Sequence, residues 1–303
     1  MFQKFKTKYW NDKWNIGVYW GKPHDLLDGG IKNAIYWGNS EKIEGSYADP
    51  FIIKWQNDYF IFFEELIYKT NKGRLVCSKL TIRDCRIFFD EPKAIFDKDY
   101  HMSYPYIFRN DGKIYLCPET AEIGKVTLYK AKRFPYEWKK QKDIIHETNL
   151  LDPTIFQYRD LWWLFCTDAK TGKNSHLHIY FSESLLGRWR PHKENPVKVN
   201  IRSSRPAGQP FIKDGRLYRP AQNCETTYGQ NLVINKILKL SPEEFGEETV
   251  KAILPKNFKK YKDGLHHLSY VGDLVIFDAK RFLFTKKYLF SILRTFRKTR
   301  NGS

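Results

Sequence analysis

Four polar residues, Asp49, Tyr104, Asp152 and Gln209, each stand directly before a proline that opens an apolar run. A fifth segment, His266-His267-Leu268-Ser269-Tyr270, brings two adjacent imidazoles to a similar setting. The aromatic-rich runs that follow the prolines end on further polar groups: Glu65, Glu119, Asp168 and Gln222. Carboxylates and imidazoles that share a cavity can do general acid–base work. Arg202, Arg205, Arg219 and His101 lie beside the same segments and could form a cationic cradle for a phosphate or a developing oxyanion. The chain has no Gly-rich phosphate loop, no HExxH and no GxSxG. His176 and His178 share one facing on a strand but have no third ligand nearby in sequence, so no metal and no cofactor is expected. Asp97-Lys98-Asp99 resembles a metal-binding acidic pair, yet it falls in a connecting loop outside the repeat.

These residues recur because the segments that carry them recur. The prolines fall at 50, 105, 153 and 210, and each heads a short strand, a polar turn and a second strand such as Tyr59-Phe60-Ile61-Phe62-Phe63 or Leu161-Trp162-Trp163-Leu164-Phe165. A weaker copy runs from His266 to Phe277. Repeats of roughly fifty residues built only from short strands are the signature of a β-propeller. Asn110-Asp111-Gly112 and Asp214-Gly215 sit where a hairpin between the first two strands needs a tight turn. The expected fold is therefore all-β, a five-bladed propeller over residues 1–279. Trp14–Trp20 is expected to complete the last blade and so remove an exposed sheet edge. The first strand of each blade lines the channel, which would gather Asp49, Tyr104, Asp152, Gln209 and His267 at one mouth.

At 303 residues and 42% hydrophobic, the chain can bury a full core, and its 17% aromatic content suits strand packing or sugar stacking. Cys77, Cys85, Cys117, Cys166 and Cys224 lack CxxC spacing and read as buried free thiols of a reducing compartment. No run approaches the length of a signal sequence or a membrane span, so a cytoplasmic or peripheral protein is expected. The net charge of +18 calls for an anionic partner. Residues 280–303 hold eight basic side chains and no acidic one, and from Tyr288 the apolar residues repeat at helical spacing. A basic amphipathic helix on the anionic inner face of a membrane is the expectation. No nucleic-acid module is recognisable, and no nucleic-acid partner is expected.

Ala48-Asp49-Pro50-Phe51, His101-Met102-Ser103-Tyr104-Pro105, Pro118-Glu119-Thr120 and Phe134-Pro135-Tyr136-Glu137-Trp138 form an ordered set of motifs. It continues with Ser204-Arg205-Pro206-Ala207-Gly208-Gln209, Arg219-Pro220-Ala221-Gln222-Asn223-Cys224 and Tyr228-Gly229. Together they resemble the N-terminal propeller of the plant glucosamine inositolphosphorylceramide transferases, over about residues 14–277. More remotely the pattern is similar to the five-bladed furanosidases of glycoside hydrolase families 32, 43 and 130. In the first two of these, an Asp on blade one is base or nucleophile, an Asp on blade three supports it, and a Glu on blade four is the acid. Asp49 and Asp152 match the first two positions. Gln209 stands at the third, and an amide cannot donate a proton as a general acid.

Hydrolysis needs a protonated carboxyl for its poor leaving group, whereas transfer from a nucleotide- or phosphate-activated donor needs one carboxylate base and a basic cradle. The leading expectation is a glycosyltransferase of cell-surface polysaccharide or glycolipid assembly, taking an activated sugar donor and a glycan or lipid-linked acceptor. Asp49, Glu119 and Asp152 are the catalytic candidates. His101, Tyr104, Arg205, Gln209, Arg219, Gln222, Tyr228, His266 and His267 are the candidates for substrate contact. The alternatives are a furanosidase-like hydrolase or phosphorylase with Glu119 as acid, and a non-catalytic sugar-binding propeller.

Overall fold

The computed structural model describes residues 10–31 and 35–284. Five antiparallel sheets follow one another along the chain. Blade one is built from Gly45–Trp55, Asp58–Ile67, Lys72–Arg83 and Arg86–Phe89, with Lys93–Phe96 beside its third strand. Blade two comprises Ser103–Asn110, Lys113–Glu119, Lys125–Arg133 and Glu137–His146. Blade three starts with Leu150–Tyr158, Leu161–Asp168 and His176–Ser182, and blade four comprises Phe211–Lys213, Arg216–Asn223, Asn231–Leu240 and Phe245–Ile253.

Blade five closes the ring. Its inner strands Gly264–Val271 and Leu274–Phe284 are completed by Trp10–Trp20 and then Tyr36–Trp37 from the other end of the chain. The closure pairs Trp10 with Phe284 and continues without a slip to Trp20 with Leu274, so the expected edge is covered. The last strand runs past the boundary expected at 279. Lys280, read as part of a basic tail, is buried in blade five and donates to Asp12 Oδ2 at 2.8 Å and to the Tyr228 carbonyl at 2.5 Å. Arg281 pairs with Glu41 at 2.7 Å. The amphipathic helix expected beyond them lies outside the described residues.

The turn signals act as their chemistry requires. Asp111 and Gly112 have φ of 47° and 69°, Asp214 and Gly215 of 51° and 70°, the paired left-handed residues that tight hairpins need. Apolar faces pack blade against blade; one cluster joins Phe51 and Phe62 of blade one to Tyr106 and Leu116 of blade two and Ile155 and Leu164 of blade three. All five cysteines are free thiols, four of them buried and Cys85 exposed. Among the described residues no helix is long and apolar enough to cross a membrane.

The pre-proline residues are the structural key. Asp49, Tyr104 and Asp152 have φ of 52°, 46° and 52°, a left-handed backbone that side chains other than glycine adopt at a cost. Each sits in a register shift of the inner strand, between Ala48 and Phe51, Ser103 and Tyr106, and Leu151 and Thr154. Such bulges re-aim a side chain and recur next to active sites. In blade four the left-handed residue is Gly208, at φ 104°, one position earlier than the repeat suggests. A Cβ there would lie 1.9 Å from the Leu268 carbonyl oxygen, so only glycine fits this approach to blade five.

Candidate active site

The left-handed bends aim Asp49 and Asp152 into a buried cluster, and neighbouring blades hold those bends in place. The Asp49 N–H donates to Asp278 Oδ2 of blade five at 2.9 Å, and the Asp152 N–H donates to Glu119 Oε2 of blade two at 2.9 Å. In both cases a carboxyl group from the second strand of the preceding blade accepts from the strained residue, and the bond offsets the backbone cost; at Asp278 it is charge-assisted. Tyr104 is fixed differently: its hydroxyl bonds Thr154 Oγ1 at 2.6 Å and accepts the Gly208 N–H at 2.8 Å.

Asp152 is the most heavily supported acid. Arg205 grips it with two bonds, Nε to Oδ2 at 2.6 Å and Nη2 to Oδ1 at 3.1 Å, and Gln222 Nε2 donates to Oδ2 at 2.9 Å. Arg205 also reaches Asn174 Oδ1 at 3.0 Å, and its guanidinium lies 5.0 Å from the centroid of the Tyr228 ring. This is a desolvated, two-pronged ion pair that fixes where the Asp152 carboxylate sits.

Asp49 faces imidazoles. His266 Nε2 is 3.4 Å and His267 Nδ1 3.8 Å from its Oδ1. The other nitrogen of His266 meets Asp278 Oδ1 at 2.7 Å, and the ring is stacked on Trp14 with centroids 4.0 Å apart. Tyr228 packs edge-on against the same imidazole at 5.1 Å. Ligand atoms of Asp49, His266 and Asp278 lie within 4.8 Å of one another, a spacing a metal could use. Asp278 ties the trio together, bonding the His266 ring at 2.7 Å and the Asp49 backbone N–H at 2.9 Å.

Glu64, on the second strand of blade one, completes the cluster. Its carboxylate is 3.5 Å from His101 Nε2, while His101 Nδ1 accepts the Gly73 N–H at 3.0 Å. Gly73 makes room for this carboxylate, since a Cβ there would lie 2.2 Å from Glu64 Oε1.

Five buried carboxyls therefore lie in one cluster, and two have dedicated partners. Asp152 has Arg205. Asp278 has His266: burial alone would raise its proton affinity, but the imidazole bond and charge hold it below the ordinary value. The other three are pushed upward. Burial, then the charges of Asp152, Asp278 and Glu119, raise Asp49 well above the usual carboxylate range. Burial and the nearby Asp49 do the same for Glu64. Burial and Asp152 bring Glu119 to about 8, so it carries its proton at neutral pH. Desolvation lowers both His101 and His267, the latter to about 3.

Several sequence expectations are corrected. Arg219 is no phosphate clamp: it is buried against Glu247, with Nε to Oε2 at 3.0 Å and Nη2 to Oε1 at 2.7 Å, and its other donors go to the Ser203 and Ser204 carbonyls. It ties strands of blade four to the segment before them. Arg202 pairs with Glu225 at the surface. Because the blade-four bulge falls on Gly208, Gln209 turns its amide oxygen to Ser269 and Tyr270 of blade five, at 3.3 and 3.4 Å, and is not in register with Asp49 and Asp152. Tyr104 and His267 are fully buried, the latter edge-on to Phe51 at 4.4 Å. Glu65 pairs with Arg74 at 2.8 Å and Asp168 caps the Lys170 N–H, while Glu64, one residue earlier, joins the cluster. Asp278 was not anticipated at all. Its signal was available: Phe277-Asp278 repeats the apolar–acidic step of Phe63-Glu64 and Pro118-Glu119 on the second strands.

A family model described as "Glucosamine inositolphosphorylceramide transferase 1, N-terminal" matches residues 38–269. Glucosamine inositolphosphorylceramide transferase 1 of Oryza sativa subsp. japonica is 35% identical over 260 residues, covering 78% of this chain and 34% of its own length. The Arabidopsis thaliana protein of the same name is 34% identical over 262 residues, with the same shares covered. The chain thus spans about a third of the length of these curated relatives. Among solved structures, a glycosyl hydrolase from Bacteroides ovatus superposes with a TM-score of 0.56 at 10% identity, covering 78% of this chain and 84% of that one. A GH43_1 enzyme from Xanthomonas citri complexed with xylose gives 0.54 at 12%, covering 77% and 86%. A family 117 glycoside hydrolase produced by Zobellia galactanivorans gives 0.54 at 13%, covering 88% and 90%. Likeness at such identities shows the propeller fold alone, whereas the sequence match is much closer. On that match, the chain belongs to the family of glucosamine inositolphosphorylceramide transferase 1 N-terminal propellers.

Proposed function

We propose that this propeller carries out glycosyl transfer in the assembly of a glycolipid or cell-surface polysaccharide, with the sugar held at the mouth of the channel. One observation carries the reading: Asp49, Glu64 and Glu119, from two blades, meet in a buried cluster with proton affinities raised above the usual carboxylate range, that of Glu119 to about 8. Groups tuned in this way exchange protons efficiently at the pH of the cell. Asp49, when ionised, is the base for an acceptor hydroxyl; Glu119 is the acid for the departing group; Asp152, locked by Arg205, sets the field between them. The family adds the direction of the chemistry, since the named relatives are transferases of a glycolipid. An activated sugar is the donor and a glycan or lipid-linked sugar the acceptor. Attachment to the inner face of the membrane belongs to the same proposal, through Lys286, Lys287, Arg294, Arg297, Lys298 and Arg300.

Glu119 also favours a second reading. A carboxyl that keeps its proton near neutrality supplies the acid that Gln209 cannot, and glycoside hydrolysis needs such an acid. Incubation with UDP-glucose or UDP-N-acetylglucosamine, and separately with aryl glycosides, separates the two. Donor-dependent labelling of a lipid or glycan acceptor supports transfer, and aryl release into water supports hydrolysis. Asp49→Asn should abolish either activity in a protein that still folds. Turnover within a few-fold of the parent would remove Asp49 as base.

A further inference from the structure

We infer that Asp278 and His266 form a relay behind Asp49, in which Asp278 fixes the imidazole so that its free nitrogen receives the proton Asp49 takes from an acceptor hydroxyl. The inference rests on the reading of Asp49 as base, and it assigns a role to Asp278. The geometry is that of a chain with one direction. Asp278 accepts three bonds from two elements: Oδ2 takes the Asp49 N–H at 2.9 Å, and Oδ1 takes both the His266 N–H at 3.2 Å and the His266 Nδ1–H at 2.7 Å. An ionised carboxylate only accepts, so Nδ1 carries the hydrogen, and in the neutral ring from which the relay starts Nε2 keeps its lone pair. That lone pair is 3.4 Å from Asp49 Oδ1. Contacts of this kind are often long without substrate and tighten when it binds.

The ring has no freedom to choose another partner. Trp14 stacks on it at 4.0 Å, and Tyr228 meets it edge-on at 5.1 Å. A Cβ on Gly229 would lie 2.6 Å from the His266 Cβ, so glycine there lets the backbone close over the imidazole. The charged and titratable groups around the ring are Asp278 and Asp49 in contact, His267 beside it in sequence, Glu64 and Tyr228 across the cavity, and Lys280 over Trp14 at 5.0 Å. Among these, Asp278 alone bonds both His266 and the backbone of Asp49. In the step itself, ionised Asp49 takes the hydroxyl proton as the hydroxyl oxygen bonds the donor's anomeric carbon and the activating group leaves with its bonding pair; that proton then passes from Asp49 Oδ1 to His266 Nε2. The product beside Asp49 is an imidazolium against the Asp278 carboxylate. Asp278 touches neither substrate nor reacting oxygen; it is a positioning residue.

The test is Asp278→Asn in the full chain. An amide accepts at one end and donates at the other, so it cannot serve all three donors, and its NH2 favours the imidazole with hydrogen on Nε2. Nitrogen-15 histidine spectra should show His266 as the Nδ1–H form in the parent and as the Nε2–H form in the variant. Turnover of the donor or glycoside that the parent accepts should fall by about two to four orders of magnitude in kcat with little change in KM, as expected when a base is held in the wrong tautomer. His266→Gln keeps a donor for Asp278 and guards against misfolding of the first variant; it should fold and lose kcat likewise. A parent already in the Nε2–H form, or an unchanged tautomer and kcat in Asp278→Asn, would overturn the relay. Full turnover in Asp49→Asn would instead sink the base assignment beneath it, and the spectra would still report whether Asp278 sets the tautomer.

Discussion

Replacing Glu119 by Gln should make the protein more stable and less active at once, and the gain should depend on pH. The parent carboxyl has a proton affinity of about 8 in the folded cavity against 4.5 as the ordinary value. Below pH 4.5 folded and unfolded chains both hold the proton, and the group has no effect on the balance. Between pH 4.5 and 8 the unfolded chain releases it while the folded chain keeps it, so stability falls as pH rises through this window and levels off above it. The full difference corresponds to about 5 kcal/mol, and ionisation elsewhere in the cluster takes up part of that, so a figure of order 2–5 kcal/mol is expected. Glutamine keeps a carbonyl for the Asp152 N–H, which Glu119 now accepts at 2.9 Å, and places NH2 where the acid hydrogen was. The variant should therefore match the parent near pH 4.5 and exceed it by that margin at pH 8, with a flatter profile between. Urea unfolding at half-unit steps from pH 4.5 to 9 reads this directly. Asp49 and Glu64 are raised in the same direction, so some slope should remain. A variant no more stable than the parent at pH 8 would refute the buried, protonated acid. Loss of turnover by about two to four orders of magnitude should accompany the gain, because an amide donates no proton.

Arg219→Met should cost about 3–5 kcal/mol in the same urea assay, because Glu247 is left buried beside Lys198 alone. Binding of UDP-sugars by the folded fraction should not change; weakened binding would restore Arg219 as a donor contact. Removing residues 285–303 should release the protein from phosphatidylserine vesicles at low salt and leave its melting temperature unchanged, with each basic residue worth about 1 kcal/mol at the surface. Full-length protein that ignores such vesicles would end the membrane reading.

The ring of blades was legible because its punctuation is chemical. A polar residue before proline, repeated at 50, 105 and 153, marks a bulge that only a special backbone satisfies. The fourth copy misled because glycine took over the left-handed position: Gly208 absorbs the bend, and Gln209 is carried out of register. The same bulges defeat simple alternation on the second strands. In blade one the register runs from Phe51↔Phe62 to Ala48↔Glu64, so two residues on one strand, Asp49 and Pro50, oppose one, Phe63, on the other, and the inward carboxylate is Glu64 where counting suggests Glu65. Arg219 was unreadable for another reason. Its partner Glu247 lies 28 residues away on an outer strand, and no local pattern announces a buried pair.

Charge shows how a total can point away from the site. A chain of +18 suggests an anionic ligand, yet its candidate site gathers five buried carboxyls. Arg205 and His266 are already committed to Asp152 and Asp278, and Arg219 to Glu247. The positive excess therefore lies outside this cluster, part of it in the sequence beyond Phe284. On the proposed reading, surface attachment and sugar chemistry rest on different residues. Salt should weaken the first, by screening exposed charge, and leave the second almost untouched, because buried pairs are screened little. A salt titration that abolished vesicle binding and turnover of a soluble donor together would show that one set of charges serves both, against this division.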